Sequence, residues 1–391
     1  MVGAVVLFVS MSVQSAAPSS GDVIKIGIVA SLSGPLIPWG TDAYNGAQLA
    51  VDQVNASGGI AGRQVELLVQ DCASTPEGGK IGTEALIAAG VVGLLGTVSS
   101  GITQPMARVS SEHGIPHVVV GGTKSGLTKD PNVFRVCYTD DFQGPVMAKF
   151  AYDTLGLRKV ALMTDSKQPY SSYLSESFRK FFVGLGGEIV AEQFYESGQS
   201  NFLYELVKIK EGDPEGIFLS GYFNEVGPIA MQAGQVGLED VKLLGGDGWE
   251  SMELIDSGGD AIIGGFFCNH YSNDEQRPEV QNFVTAWRER HDDPPGTSMG
   301  ALGYDAAALL MDAIARAGST DAEAVIEALG NTVGFKGVTG AITLKGLGGD
   351  AARPALVLRV TRDGFVPAKT MSYEEVYGGD AGSGVLRKNT K

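Results

Sequence analysis

The sequence predicts an α/β protein of two lobes, each a mostly parallel sheet doubly wound with helices on both faces. Three observations carry this expectation. From residue 23 onward, short β-branched runs alternate with longer amphipathic ones, the rhythm of βαβ units. The rhythm restarts after Phe134-Arg135 and yields a second set of strands. The length of 391 residues suits two or three domains at roughly 150 residues each, and 55 glycines, about twice the usual ~7%, supply many tight turns.

The elements follow in order. The first strand reads Val23-Ile24-Lys25-Ile26-Gly27-Ile28-Val29. A helix comes next, with Ala43, Ala47, Ala50, Val51 and Val54 at i, i+3, i+4 spacing, and Gly58-Gly59 stops it. Strands are then expected at 65–69, 91–96 and 117–120, with helices near 80–89 and 102–112. A helix near Phe142 opens the second set, whose strands fall at 159–164, 188–194, 215–219 and 241–245 with helices between them. Residues 277–330 read as three helices, followed by an extended segment at 340–344 and a strand at 355–360. The polar end reads as a flexible tail over 376–391.

Composition excludes several function classes. Hydrophobic residues are 43% and charged residues 19%, which rules out a disordered chain. Acids outnumber bases 45 to 29, and the net charge of −16 argues against nucleic acid or an anionic membrane surface as partner. Residues 2–13 form one uncharged, mostly apolar run, too short to span a bilayer, which needs roughly 18 apolar residues. With the small residues that follow, the run reads as a secretory signal peptide over 1–17. A soluble, exported chain is therefore expected, in the periplasm or another extracytoplasmic space. The three cysteines, Cys72, Cys137 and Cys268, are odd in number and show no CxxC spacing, so they read as small buried residues.

In open parallel sheets, ligands bind beyond the carboxyl ends of the strands. Thr97-Val98-Ser99-Ser100-Gly101 follows one such strand and opens a helix, where hydroxyls and free N–H groups suit an anion; the plain alternative is an N-cap serine. Gly121-Gly122-Thr123 is a second Gly-rich turn ending in a hydroxyl, and the first βα loop carries Ser33-Gly34-Pro35 and Trp39. Strands of the second lobe end at Asp165 with Tyr170 nearby, at Tyr222-Phe223 with Glu225 beyond, and at Asp247-Gly248-Trp249. Together these place hydroxyls on lobe one, and aromatics with a carboxylate on lobe two. Walker and HExxH motifs are absent from the sequence, and the one GxSxG match, Gly296-Thr297-Ser298-Met299-Gly300, follows Pro294-Pro295 rather than a strand and so is no nucleophile elbow. Gly346, Gly348 and Ala351 form a loose GxGxxA, but Pro354 follows it and the reading is a surface turn. His113 and His117 are separated by Gly114 and Pro116 and do not share a helix face, while His270 and His291 are isolated. No enzyme activity, metal or cofactor is expected.

At this point the residues have a recognisable order. The chain resembles the periplasmic branched-chain amino-acid-binding proteins of ABC transporters, nearly end to end from Ile24 to Ala368. The segments that carry the resemblance are Ile26-Gly27 to Ser33-Gly34-Pro35, Trp39-Gly40, Asn45-Gly46-Ala47, Asn55 to Gly59, and Ser99-Ser100-Gly101 with Thr103-Gln104-Pro105. Further on come Phe134-Arg135, Asp141-Phe142-Gln143-Gly144, Gly221-Tyr222, Gly246-Asp247-Gly248, Gly303-Tyr304-Asp305-Ala306, and Phe335-Lys336-Gly337 through Gly340. Their collinear order is the specific signal.

The resemblance implies a type I periplasmic-binding fold: two lobes joined by three crossovers, near 139–141, 267–271 and 345–350, closing over ligand like a hinged clamp. Lobe one would comprise 22–140 plus 270–346, and lobe two 141–269 plus 347–375. By the same resemblance, Ser100 and Thr123 match the serine and threonine that hold a ligand α-carboxylate. Asp247 matches the acid that takes the α-ammonium, where close relatives carry glutamate. Trp39, Tyr170, Tyr222 and Tyr304 match aromatic positions lining the site, and Gly121 and Gly122 offer backbone carbonyls. Some relatives carry a disulfide in the first lobe; Cys72 lies near one of its positions and Ser99 occupies the other. The expected function is capture of a small amino acid and its delivery to an ABC permease by a monomeric receptor. The alternatives are the same fold binding an aromatic carboxylate, an amide or urea, and a ligand sensor acting on a partner protein.

Overall fold

The computed structural model describes residues 23–378. The leader expected over 1–17 lies outside them, as does the expected tail from 379 on. The tail residues inside this range do not fray at once. Tyr373–Tyr377 closes a short helix capped by Ser372, and the Tyr377 hydroxyl donates to Asp141 O at 2.5 Å.

The alternation of apolar runs produces two sheets. The first holds five parallel strands, β1 (Ile24–Ala30), β2 (Val65–Asp71), β3 (Leu94–Leu95), β4 (His117–Val119) and β5 (Val133–Arg135), in the order β2-β1-β3-β4-β5. Helices α1 (Ile37–Ala56), α2 (Pro76–Ala88) and α3 (Ser100–Glu112) connect them. Pro76 at the first turn and the Thr75 hydroxyl accepting from Gly78 N start α2 four residues before the apolar pattern begins.

The second sheet orders β14-β13-β10-β9-β8-β6-β7, built from β6 (Lys159–Asp165), β7 (Glu188–Tyr195), β8 (Gly216–Ser220), β9 (Lys242–Gly245), β10 (Phe266–Asn269), β13 (Ala355–Thr361) and β14 (Gly364–Met371). Helices α4 (Asp140–Lys149), α5 (Pro169–Gly184), α6 (Leu203–Glu211), α7 (Phe223–Gln235) and α8 (Met252–Gly258) accompany it. The sheet is parallel except at β10–β13 and β13–β14, which pair antiparallel. Between β10 and β13 the chain returns to the first lobe through α9 (Pro278–His291), α10 (Met299–Ala317), α11 (Ala322–Gly330) and the hairpin β11 (Phe335–Gly337)–β12 (Gly340–Ile342). The chain thus passes between the lobes three times, the doubly wound, three-crossover arrangement expected above.

Close packing of α10 on α1 holds the third stretch to the first lobe. A Cβ on Gly46 would sit 1.9 Å from Gly300 O, and one on Gly303 2.1 Å from Ala43 O, so these helices meet backbone to backbone. Cys72, Cys137 and Cys268 are buried and unpaired. No helix among the described residues is long and apolar enough to cross a membrane.

One buried side chain ties the three crossovers together. Arg353, just after the third, donates to Val136 O just before the first at 3.0 Å and to His270 O in the second at 3.0 Å. It also donates to the Thr339 hydroxyl at 2.7 Å and to Thr339 O. Thr339 in turn donates to Asp305, whose carboxylate accepts the amides of Val338 and Thr339.

Candidate functional site

The strand-end loops of both lobes converge on one cavity of about 200 Å³, lined by Trp39, Val98, Ser100, Gly121, Thr123, Tyr170, Tyr222, Asp247, Gly248 and Met299. Seven of the nine residues singled out in the sequence meet there: Trp39, Ser100, Gly121, Thr123, Tyr170, Tyr222 and Asp247.

Its first-lobe wall is built from the ends of β3 and β4. Ser99 occupies the N-cap position of α3 but makes no capping bond; its hydroxyl instead accepts from the Tyr222 hydroxyl of the other lobe at 3.2 Å. The first turn of α3 therefore opens on the cavity through Ser100 without a side-chain cap. Ser100 Oγ accepts from Lys124 N at 3.1 Å, which leaves its own proton free to donate. The buried Thr123 hydroxyl makes no well-formed hydrogen bond among the described residues, although it lies beside the Asp140 carboxyl and favours its charged form. Gly121 makes room for the Met299 thioether, which a Cβ would meet at 2.7 Å.

The second-lobe wall is built around Asp247. Its Oδ1 accepts from the Tyr170 hydroxyl at 2.8 Å and its Oδ2 from His270 Nε2 at 3.0 Å, while its own amide donates to Gln143 Oε1 at 2.6 Å. Burial pushes the Tyr170 hydroxyl well above its ordinary range, so it stays a neutral donor. Burial also lowers His270 below the usual histidine value, against the opposing pull of Asp247, and the ring faces the carboxylate as a neutral imidazole at pH 7. Among the described residues, no lysine or arginine lines the cavity. Tyr170 and Tyr222 stack with centroids 5.3 Å apart, and Trp39 meets Tyr222 edge-on at 5.1 Å. Asp140, at the start of α4, is raised well above the carboxylate range by burial and by the nearby Asp247 charge.

Two expected residues do not line the cavity. The Gly122 carbonyl accepts from Arg135 Nη1 at 2.8 Å, and Arg135 is itself paired with Asp350 at 2.8 Å, so that oxygen is already engaged in bracing the turn. Tyr304 points the other way: its hydroxyl donates to Gln53 Oε1 of α1 at 2.6 Å and its ring packs on Phe283 of α9. Five residues earlier on α10, Met299 takes the cavity position; that offset is about 140° of helix rotation. Asp165 and Glu225 serve loops, accepting from Ser197 and Gly198. Val98 and Gly248 lie inside loops that the sequence already marks, whereas Met299 and His270 carry no local signal.

The lobes also meet through Glu250. Its carbonyl accepts from Trp39 Nε1 at 2.6 Å, and its carboxylate accepts from Ser298 N at the start of α10 and from Asn269 Nδ2, both at 2.6 Å. Burial pushes this carboxyl up to about 7, and the neighbouring Asp42, raised by burial to about 6, adds to the effect. Between about pH 4.5 and 7 the folded state keeps a proton on Glu250 that the unfolded chain releases, so stability falls as pH rises through that window. The expected loss across it is about 3 kcal/mol, since each tenfold change in proton affinity is worth ~1.4 kcal/mol. Urea unfolding between pH 5 and 7.5 should show this slope in the parent and a flatter one in Glu250→Gln; parallel slopes would refute the assignment to Glu250.

A profile of the family described as "Periplasmic binding protein" matches residues 23–365. The Leu/Ile/Val-binding protein BraC3 of Rhizobium johnstonii is 32% identical over 316 residues, 80% of this chain and 85% of that protein. Among solved structures, a leucine-binding protein LivK from Thermotoga maritima is 32% identical with a TM-score of 0.84, over 89% of this chain and 99% of its own. LivJ, a branched-chain amino acid transporter substrate-binding protein from Streptococcus pneumoniae in complex with isoleucine, is 29% identical with a TM-score of 0.82, over 88% and 100%.

Proposed function

The chain belongs to the periplasmic binding protein family, whose members are solute-binding proteins rather than enzymes, and on that premise we propose that it captures a small amino acid of branched-chain type. The amino acid sits between the lobes formed by 22–140 with 270–346 and by 141–269 with 347–375, and closure presents it to an ABC permease. The protein works as a monomer outside the cytoplasm.

The polarity of the cavity carries this reading. At one pole stands Asp247, a buried carboxylate served only by neutral side-chain donors. At the other stand the Thr123 hydroxyl, Ser100 and the N-terminus of α3. A zwitterion satisfies both poles; a carboxylate without an amine would leave Asp247 uncompensated, at a cost of several kcal/mol. Between the poles Val98, Met299, Trp39 and Tyr222 offer apolar surface for a short side chain. The names of the relatives, Leu/Ile/Val-binding and leucine-binding, support the same solute class.

A thermal-shift screen on refolded, ligand-stripped protein tests the proposal against all amino acids, aromatic acids, short amides and urea. Leucine, isoleucine or valine is expected to raise the melting temperature, since ligand at a hundredfold over Kd stabilises by about 2.7 kcal/mol. Stabilisation by benzoates and by no amino acid would overturn it. Thr123→Val keeps the side-chain shape and removes one carboxylate donor. It is expected to weaken leucine binding by about 1.5–3 kcal/mol in calorimetry; an unchanged Kd would place the carboxylate elsewhere.

A further inference from the structure

We propose that His270 is the positioning residue of the cation pole: neutral, it aims the Asp247 carboxylate at the ligand's ammonium, and protonated, it takes that ammonium's place. The inference rests on the amino-acid reading above for the identity of the cation.

His270 follows β10 at the second crossover and is fully enclosed. Its ring stacks on Tyr138 of the first crossover, centroids 3.9 Å apart and 24° from parallel, which fixes the imidazole plane. From that plane Nε2 reaches Asp247 Oδ2 at 3.0 Å, and the backbone carbonyl of the same residue is held by Arg353. Asp247 is thus steered from the hinge on one side and by Tyr170 of α5 on the other. Nδ1 has no partner among the described residues, so the Nε2–H tautomer leaves an open nitrogen for a second proton.

With the imidazole neutral, Asp247 carries an unbalanced negative charge and favours a cation in the cavity. With the imidazole protonated, the pair is balanced internally and an ammonium would add net positive charge to a buried site. Binding of an ammonium-bearing solute and protonation of His270 are therefore mutually exclusive, and each weakens the other by linkage. Burial keeps this titration below the ordinary histidine value of 6.5, with Arg353 adding to the depression and Asp247 opposing it. The other ionisable groups around the pair are Tyr138, Tyr170, Tyr222, Cys137 and Cys268, all driven upward by burial and neutral across the acid range. Asp140 is the one remaining carboxyl, close enough for Asp247 to raise it further.

The test is calorimetric titration of the full chain with L-leucine and with benzoate from pH 7.5 to 4.5, for the parent, His270→Gln and Asp140→Asn. The parent's leucine Kd is expected to rise about tenfold per pH unit below the His270 titration, with proton release on binding. His270→Gln keeps an N–H near the carboxylate and is expected to flatten this limb; Asp140→Asn is expected to leave it in place. An acid limb unchanged in His270→Gln overturns the proposal. If leucine fails to bind and benzoate binds instead, the amino-acid reading falls, but the His270 switch then predicts the opposite sign, tighter benzoate binding in acid, again lost in His270→Gln. Should that variant not fold, imidazole ¹⁵N shifts of the parent decide: an Nε2–H neutral ring in the leucine complex at pH 7 supports the proposal, and an imidazolium there overturns it.

Discussion

Asp247→Ala is expected to weaken binding of a branched-chain amino acid by about 3–5 kcal/mol, the usual consequence of deleting one partner of a buried ion pair. The loss has two parts. The ligand's ammonium loses its counter-charge in a cavity without another carboxylate on its wall. The Tyr170 hydroxyl and His270 Nε2 lose their shared acceptor, so two buried donors are stranded as well. The fold itself should survive, because Asp247 sits on a short turn after β9 whose amide is held by Gln143 whatever the side chain. Calorimetry with leucine, beside a melting curve of the ligand-free variant, separates the two effects. A near-normal Kd in a folded Asp247→Ala protein would remove the amino-acid assignment.

Arg353→Ala is expected to destabilise the ligand-free protein by about 3–5 kcal/mol, the range for removing one charge from a buried, bonded cluster. The guanidinium serves Val136 O, His270 O and both oxygens of Thr339, so its loss leaves buried acceptors beside the first two crossovers and in the β11–β12 turn without donors. It also removes the cation whose charge favours the buried Asp305 carboxylate. Arg353→Lys can restore one of these bonds but not the planar fork that reaches separate strands, so only partial recovery is expected. Urea midpoints measure the loss, and a change below about 1 kcal/mol in Arg353→Ala would show that the hub does not hold the hinge.

The fold class is legible in the sequence because its causes are local. β-branched runs, helix-spaced alanines and turn glycines each report their own neighbourhood, and two rounds of that alternation already imply two wound sheets. Four strands escape notice because their local signal is weak, the three-residue β5 and β11 among them. β10 is only four residues long and directly follows Gly264-Gly265, and β14 carries Pro367 within it, tolerated because β14 lies at the sheet edge. Both make sense only beside β13, whose antiparallel pairing with each closes that side of the second sheet.

The candidate site divides in the same way. Trp39, Ser100, Gly121, Thr123, Tyr170, Tyr222 and Asp247 are legible because a parallel α/β sheet sends its strand-end loops to one edge, so position in the chain already implies position in the cleft. Tyr304 and Gly122 lie outside the cavity lining for long-range reasons: the packing of α10 on α1 turns Met299 inward and Tyr304 outward, and Arg135 claims the Gly122 carbonyl. His270 looks isolated in the sequence, and only the three crossovers bring it against Tyr138, Asp247 and Arg353. Two α/β lobes and most of the polar groups between them can be read from the residues alone, because strand alternation and loop placement depend on near neighbours. Which atoms of those groups remain free for a solute was decided only by the tertiary structure, since a hydrogen bond is satisfied or left open by whatever distant segment packs beside it.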